Sequence, residues 1–563
     1  MKTTQQRLTL FIAGAAMLLS SCENQTMKME NKLNEFIIGY EQRVEPLYTE
    51  ANLAYWDASI SGKSEDWARA EEAQLKLTEL HANREDYVFL KEIKESGAVK
   101  DPVLVRQLHA LYNSYLYNQA DIEKLKEKIR LETEVEQKYS NFRAVVGGKS
   151  VTDNEIEEIL KTSANNELLK EAWLAHKNIG PLVSGDVKKL AQLRNEIARE
   201  LGFANYHEMS LKLDDQEPDD VNKLFDELDL LTRDAFSSLK DDIDAHLARR
   251  LNIRKEELMP WHYQNRFFQE APRIYEVDLD KYYASQDIVE LTREYFNGIG
   301  LDINDMLENS DMYEKPGKNQ HAYCIHIDRK GDVRVLCNIR PNYNWMNTNL
   351  HEFGHAVYDK YIDPSLPFVL RVPAHTFTTE AIAMIFGRFA SNPKWMHDMG
   401  IISQDEMGII AEESFSSLRL EQLVFSRWSQ VMYRFEKALY ENPEQDLNAL
   451  WWNLVETYQL LCKPDGRDEP DWATKIHVAS YPCYYHNYHL GELLASQLYF
   501  YITEHIIGAQ DLRFQSFANQ PEVGAYLKEK VFLPGSRWYW NEMIEKATGE
   551  KLTAKYYARQ FVY

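Results

Sequence analysis

The sequence predicts a mainly α fold. It reads as one large, two-lobed helical unit around a deep cleft, with a small β-hairpin near the site. Three observations carry that expectation. Long stretches such as "DIEKLKEKIRLETEVEQKYSNF" repeat apolar residues at three and four, with charges between them. "SANNELLKEAWLAHKNIGPLV" and "VKKLAQLRNEIARELGF" continue the pattern, punctuated by Gly147-Gly148, Gly180-Pro181 and Gly202. The clear β signal is confined to "IHIDRKGDVRVL", which reads as strand, turn, strand, plus short pieces near Lys475. No repeat of fixed period and no Pro-, Gly- and Ser-rich linker divides the chain.

In chain order, Lys2 and Arg7 precede the apolar run "LTLFIAGAAMLL". A charged start and a short apolar run make a secretory signal, too short to span a bilayer. The ending Leu19-Ser20-Ser21-Cys22 resembles a bacterial lipobox. It implies a signal peptide over 1–21, lipidation of Cys22, a short tether over 22–32 and one folded domain over 33–563. Such a chain sits in a bacterial cell envelope, held to a membrane on its periplasmic or surface face.

The bulk numbers agree with a folded enzyme or binder. Of 563 residues, 44% are hydrophobic and 27% charged, a globular balance. A net charge of −24 argues against a nucleic-acid partner, which asks for a basic face. The 33 tyrosines suit a groove for peptides or glycans as well as a core. Cys324 and Cys337 flank the hairpin. With a two-residue turn at Lys330-Gly331 they stand opposite each other, close enough for a disulfide; a three-residue turn shifts the register and abolishes the pairing.

The stretch "NTNLHEFGHAVYDKYI" carries the chemistry. Asn347, Thr348 and Asn349 are good helix-capping residues. Leu350, Phe353, Val357, Tyr358 and Tyr361 form an apolar stripe. His351 and His355 lie one turn apart, so both imidazoles can reach one ion. Glu352 lies about 100° around the helix, placed for a water rather than for shared ligation. Two histidines, a water and a base make a zinc hydrolase of peptides. A third ligand must come from downstream, and Asp359, His375 and Glu380 are open candidates.

With these residues in place, the chain resembles the angiotensin-converting-enzyme (peptidyl-dipeptidase A) family and the related thimet-oligopeptidase family. "HEFGH" followed by "LRVPAHTFTTEAIAMIFGRFASNP" is similar to the family's zinc helix and glutamate helix. The blocks "EANLAYWDASISG", "NNELLKEAWLAHKNIGPLV", "RNEIARELGFANYHEM" and "LPGSRWYWNEMIEKATGEKL" resemble family counterparts in order, from about Leu33 onward. The resemblance implies Zn2+ held by His351, His355 and Glu380, with Glu352 as general base. "ATKIHVASYPCYYHNYHLGELL" is similar to the family's transition-state block. It implies that His477 and Tyr488 hydrogen-bond the oxyanion. It also implies that Lys475 and Tyr485 hold a free C-terminal carboxylate, with Tyr484 as the alternative to Tyr485. "QHAYCIHI" looks like the substrate strand, and implies that His321 and Ala322 hold the peptide backbone.

Three departures matter. The acid that follows the zinc glutamate by one turn is Met384 here, leaving Asp359 or a backbone carbonyl to steady a histidine. The arginine that helps the converting enzyme bind chloride is Asn487 here. The carboxylate-binding glutamine has no evident position. The function implied is zinc-dependent release of C-terminal dipeptides from short peptides by a monomer with no nucleic-acid partner. The alternatives are a thimet-type endo-oligopeptidase and a non-catalytic lipoprotein that binds peptide or glycan for uptake.

Overall fold

The computed structural model describes the backbone of residues 2–275 and 277–562, and side chains from Gln25 onward within those limits. The Cys22 thiol and the signal-peptide side chains therefore lie outside the described residues. Helices dominate, joined by two small antiparallel hairpins. Among the described residues, no helix is long and apolar enough to cross a membrane.

The first four helices form a layer of their own: α1 (Lys2–Ser61), α2 (Ser64–His81), α3 (Arg84–Ser96) and α4 (Pro102–Tyr117). The tether assigned to 22–32 falls within α1. Local chemistry sets the boundaries. Asn83 accepts from the Glu85 and Asp86 N–H groups to start α3, and Gly97 ends it at φ 58°. Asp101 caps α4, whose first residue is Pro102. Leu33, Ile37, Tyr40, Leu90, Leu108 and Tyr115 make a separate small core that closes onto Phe368. Most of the rest shares one large core, and Trp56, Ile327 and Leu336 form a small third cluster.

Both hairpins differ from the sequence expectation. Strands β1 (Ala144–Val146) and β2 (Lys149–Val151) pair around Gly147-Gly148, at φ 57° and 75°. That diglycine is the left-handed turn of a hairpin, not a helix boundary. Strands β3 (Tyr323–His326) and β4 (Val333–Leu336) form the expected second hairpin, but Cys324 faces Val335, not Cys337. The turn is longer than two residues. Ile327 N–H reaches the Asp332 carbonyl at 2.8 Å, and Asp328 Oδ1 accepts from the Lys330 and Asp332 N–H groups. The register slips by two residues, and both cysteines are free thiols.

The HEFGH helix spans Tyr343–Lys360 and begins a turn earlier than the Asn347 cap expected. Asn342 caps it, accepting from Trp345 N–H at 2.9 Å. Asn347 and Asn349 instead pin the helix sideways, to the Gly387 carbonyl at 2.9 Å and the Thr292 hydroxyl at 2.7 Å. A second helix, Thr376–Arg388, carries Glu380, and a third, His486–Tyr501, carries Tyr488. Glycine sets how closely they meet. A Cβ on Gly354 would lie 2.7 Å from the Ala383 Cα, and one on Gly491 only 3.1 Å from the Glu380 Cβ.

Candidate active site

His351, His355 and Glu380 converge. Their ligating atoms all lie within 4.8 Å of one another. His351 Nε2 and His355 Nε2 are 3.2 Å apart, and Glu380 Oε2 is 3.7 and 3.9 Å from them. Of the three third-ligand candidates, only Glu380 joins. His375 is the N-cap of the Glu380 helix: its Nδ1 accepts from Phe377 N–H at 3.1 Å, and its Nε2 meets the Asp214 carbonyl at 2.8 Å. Asp359 lines the cavity nearby.

The donor set fits zinc. Bonds of about 2.0–2.1 Å place tetrahedral ligand atoms about 3.3 Å apart, close to the spacings here. Burial lowers His351 to about 4 and His355 well below its ordinary value, so both imidazoles are neutral ligands. Burial raises Glu380 to about 7. Burial, then the charge of Glu380, raises Glu352 to about 8. A divalent cation among these groups opposes both upward shifts.

His355 Nδ1 meets the Thr379 hydroxyl at 2.8 Å. That hydroxyl does the steadying that Met384 cannot do and that Asp359 or a carbonyl was expected to do. It sits one residue before Glu380, so one turn of helix supplies a ligand and the support for another. Met384 lies near Gly491, where an added Cβ would come 3.2 Å from its sulfur. Sequence reasoning missed Thr379, although its place beside Glu380 was visible.

The site lines a cavity of about 530 Å³. Ala322 is in its wall, while the His321 side chain is exposed and outside that lining. The Cys324 backbone N–H faces the Glu352 carboxyl and opposes part of the upward shift that burial imposes on it. A second cavity of about 670 Å³ shares the wall Val372, Pro373, Thr376 and Thr379, and reaches α4 and Asp214. The two cavities adjoin along that wall, and Lys475, Gln269, His477, Tyr485 and Tyr488 line neither.

The block around Lys475 departs from the extended form expected. Lys475 is extended, at φ −91° and ψ 107°, but His477 already lies in a short helix, Ile476–Ser480. Lys475 Nζ donates to Gln269 Oε1 at 2.5 Å. Its ammonium lies 5.2 Å from the Phe267 ring centroid, 5.5 Å from Trp428 and 5.4 Å from Tyr485. Tyr485, not Tyr484, thus joins the lysine, its hydroxyl accepting from Trp428 Nε1 at 2.8 Å. Gln269 is a polar partner of Lys475 that sequence reasoning did not name. Burial, then Arg266, lowers Lys475 to about 7.

His477 packs edge-on against Tyr485, with ring centroids 5.2 Å apart. Its Nδ1 is buried without a partner. Burial, then Lys475, lowers it to about 4, leaving a neutral imidazole. Tyr488 is half-buried, its ring 5.4 Å from Tyr485, and its hydroxyl is pushed up by burial and by the charge of Glu380. Tyr484 feels Glu380 as well. Asn487 is occupied by a neutral network. Gln216 Nε2 donates to its carbonyl oxygen at 2.7 Å, and Gln216 Oε1 meets His486 Nε2 at 2.7 Å.

Comparison with known proteins points one way. Residues 27–560 match the family described as angiotensin-converting enzyme. The chain is 22% identical over 559 residues to the angiotensin-converting enzyme-like protein Ace3 of Mus musculus, covering 92% of this chain and 73% of that protein. It is 23% identical over 360 residues to angiotensin-converting enzyme of Mesocricetus auratus, covering 58% of this chain and 27% of that protein. Against the Sus scrofa enzyme the identity is 22% over 490 residues, 80% of this chain and 36% of that protein. The chain thus spans about a quarter to a third of the length of these two converting enzymes.

Proposed function

The chain belongs to the angiotensin-converting enzyme family, and from that premise we propose that it is a zinc peptidase that releases dipeptides from the free C-termini of short peptides. The observation that carries this reading is a pair of differently charged clusters joined by one tyrosine segment. His351, His355, Glu380 and Glu352 form one and Lys475, Gln269 and Tyr485 the other, with Tyr488 beside Tyr485 and within the field of Glu380.

His351, His355 and Glu380 would hold the zinc. When bound, it supplies a Lewis acid that acidifies water and polarises the scissile carbonyl. Glu352 takes the proton of the attacking water and returns it to the leaving amine. Its environment suits both tasks: burial favours holding a proton, while the Cys324 N–H favours giving it up. Tyr488 donates its hydroxyl to the developing oxyanion. His477, neutral and without an acceptor on Nδ1, carries its proton on Nε2 and donates from there. Lys475, Gln269 and Tyr485 hold the terminal carboxylate, with Phe267 and Trp428 excluding water around the ion pair. β3 pairs with β4 along one side only, which supports docking of an extended peptide beside Ala322. A lipid on Cys22 would anchor the enzyme to an envelope membrane, acting as a monomer.

The test is metal content and product mapping on a peptide set, for wild type and Glu352→Ala. Stoichiometric zinc in both, dipeptide products in wild type and a loss of roughly 10³-fold in the variant are expected. Turnover surviving Glu352→Ala with zinc bound sinks the mechanism. Equal cutting of amidated and free-acid peptides would favour the endo-oligopeptidase reading.

A further inference from the structure

Buried lysines ordinarily keep an acid beside them. Two at the carboxylate end do not. One is Lys475. The other is Lys177, buried in the last turn of the helix Asn166–Lys177. Its Nζ donates to the Arg266 carbonyl at 3.1 Å and to the Thr474 hydroxyl at 3.2 Å, both neutral acceptors. The other charges nearby are already matched. Arg467 grips Asp471 through two bonds of 2.6 and 2.5 Å. Arg266 holds Glu157 at 2.6 Å and also reaches Asp153. Among the described residues, that leaves Lys177 and Lys475 as the two cations of the cluster without an ion pair of their own, with Asp471 and Glu270 acting on them only from beyond contact.

They share one ring. The Lys177 ammonium lies 3.9 Å from the Phe267 centroid and the Lys475 ammonium 5.2 Å from it, so the two nitrogens are within about 9 Å. The turn before Lys475 is also held from the Lys177 side. A Cβ on Gly180 would come 2.5 Å from the Pro470 carbonyl oxygen, and the Tyr139 hydroxyl donates to the Ala473 carbonyl.

We propose that Lys177 is a second cation of the carboxylate clamp, a positioning residue that strengthens binding of a free peptide C-terminus without touching it. This rests on the reading of Lys475 as the clamp. The action has two routes. Through space, two cations in a poorly polarisable setting attract one anion more strongly than either alone, and that anion relieves their mutual repulsion. Through the chain, the bond to Thr474 fixes the residue next to Lys475. Burial pushes both ammonium groups down to about 7, the state of a site built for an anion that has yet to arrive.

The test measures affinity of the zinc-loaded full chain for a dipeptide acid and for the same dipeptide amide. Calorimetry on wild type, Lys177→Met and Lys177→Gln gives the comparison. Methionine removes an unpaired buried charge and is expected to fold. Glutamine keeps a donor for Thr474 and separates charge from hydrogen bonding. Wild type should prefer the acid. Both variants should lose roughly tenfold in acid affinity, with amide affinity unchanged. In turnover, KM for free-acid peptides should rise by the same factor while kcat stays within about twofold. Unchanged acid-over-amide preference in both variants overturns the inference and leaves the clamp reading intact. Equal loss for acid and amide also overturns it, because that marks a structural role only. A wild type that does not prefer the acid overturns the clamp reading and this inference with it.

Discussion

The two charged clusters of the candidate site are electrical opposites. At one, burial and then the charge of Glu380 push Glu352 up to about 8. At the other, Lys177 and Lys475 share the Phe267 ring with no acid of their own. Each end carries a charge that only a visitor balances, a cation at the first and an anion at the second. They also differ in build. The carboxylate pair stands on two continuous helices crossing at Gly354. The lysine pair stands on a helix end and a tight turn, joined by side chains from Phe267, Gln269 and Trp428. In the proposed function, the first construction fixes chemistry and the second fixes which end of a peptide is presented to it.

That opposition breaks most completely at Glu380. Glu380→Gln keeps the shape but removes the anion, and should cost zinc on dialysis and activity by more than the 10–100-fold that loss of a supporting partner costs. Metal analysis after dialysis checks it. Thr379→Val removes only the bond to His355, so zinc affinity should fall by about 10–100-fold, read by competition with a chelator. At the far end, Lys475→Met should raise KM roughly tenfold for free-acid peptides, with little change in kcat and none for amidated ones. A uniform loss would mean the two ends are not separable. The smallest effect concerns neither end. Reducing agent should leave the melting temperature unmoved, because Cys324 and Cys337 are unpaired; a fall would show that the hairpin register is wrong.

The metal end was the legible one. His351 and His355 are four apart on one helix, and a helical period converts that spacing directly into geometry. Glu380 needed only the next helix. The carboxylate end resisted, because its parts come from distant segments: Gln269 and Lys475 meet across 206 positions. No periodicity encodes such a contact. The choice between Tyr484 and Tyr485 turned on which face of the tyrosine helix meets Trp428, which again is tertiary. The cysteines were misplaced for a local reason. The Asp328 side chain caps two backbone N–H groups and lengthens the turn, and a two-residue turn was only one of the lengths the sequence allowed.

The glycine crossing has a bearing on which ions the protein accepts. Neither Gly354 nor Gly491 leaves room for the helices to shift inward, and packing on the outer faces stops them spreading. The ligand triangle is therefore set by backbone, not by side-chain adjustment. Calcium asks for six to eight oxygens at about 2.3–2.6 Å, and magnesium for a near-perfect octahedron that keeps its waters. A rigid frame offering two nitrogens and one carboxylate can expand for neither. Discrimination against calcium and magnesium is then a property of two missing methyl groups.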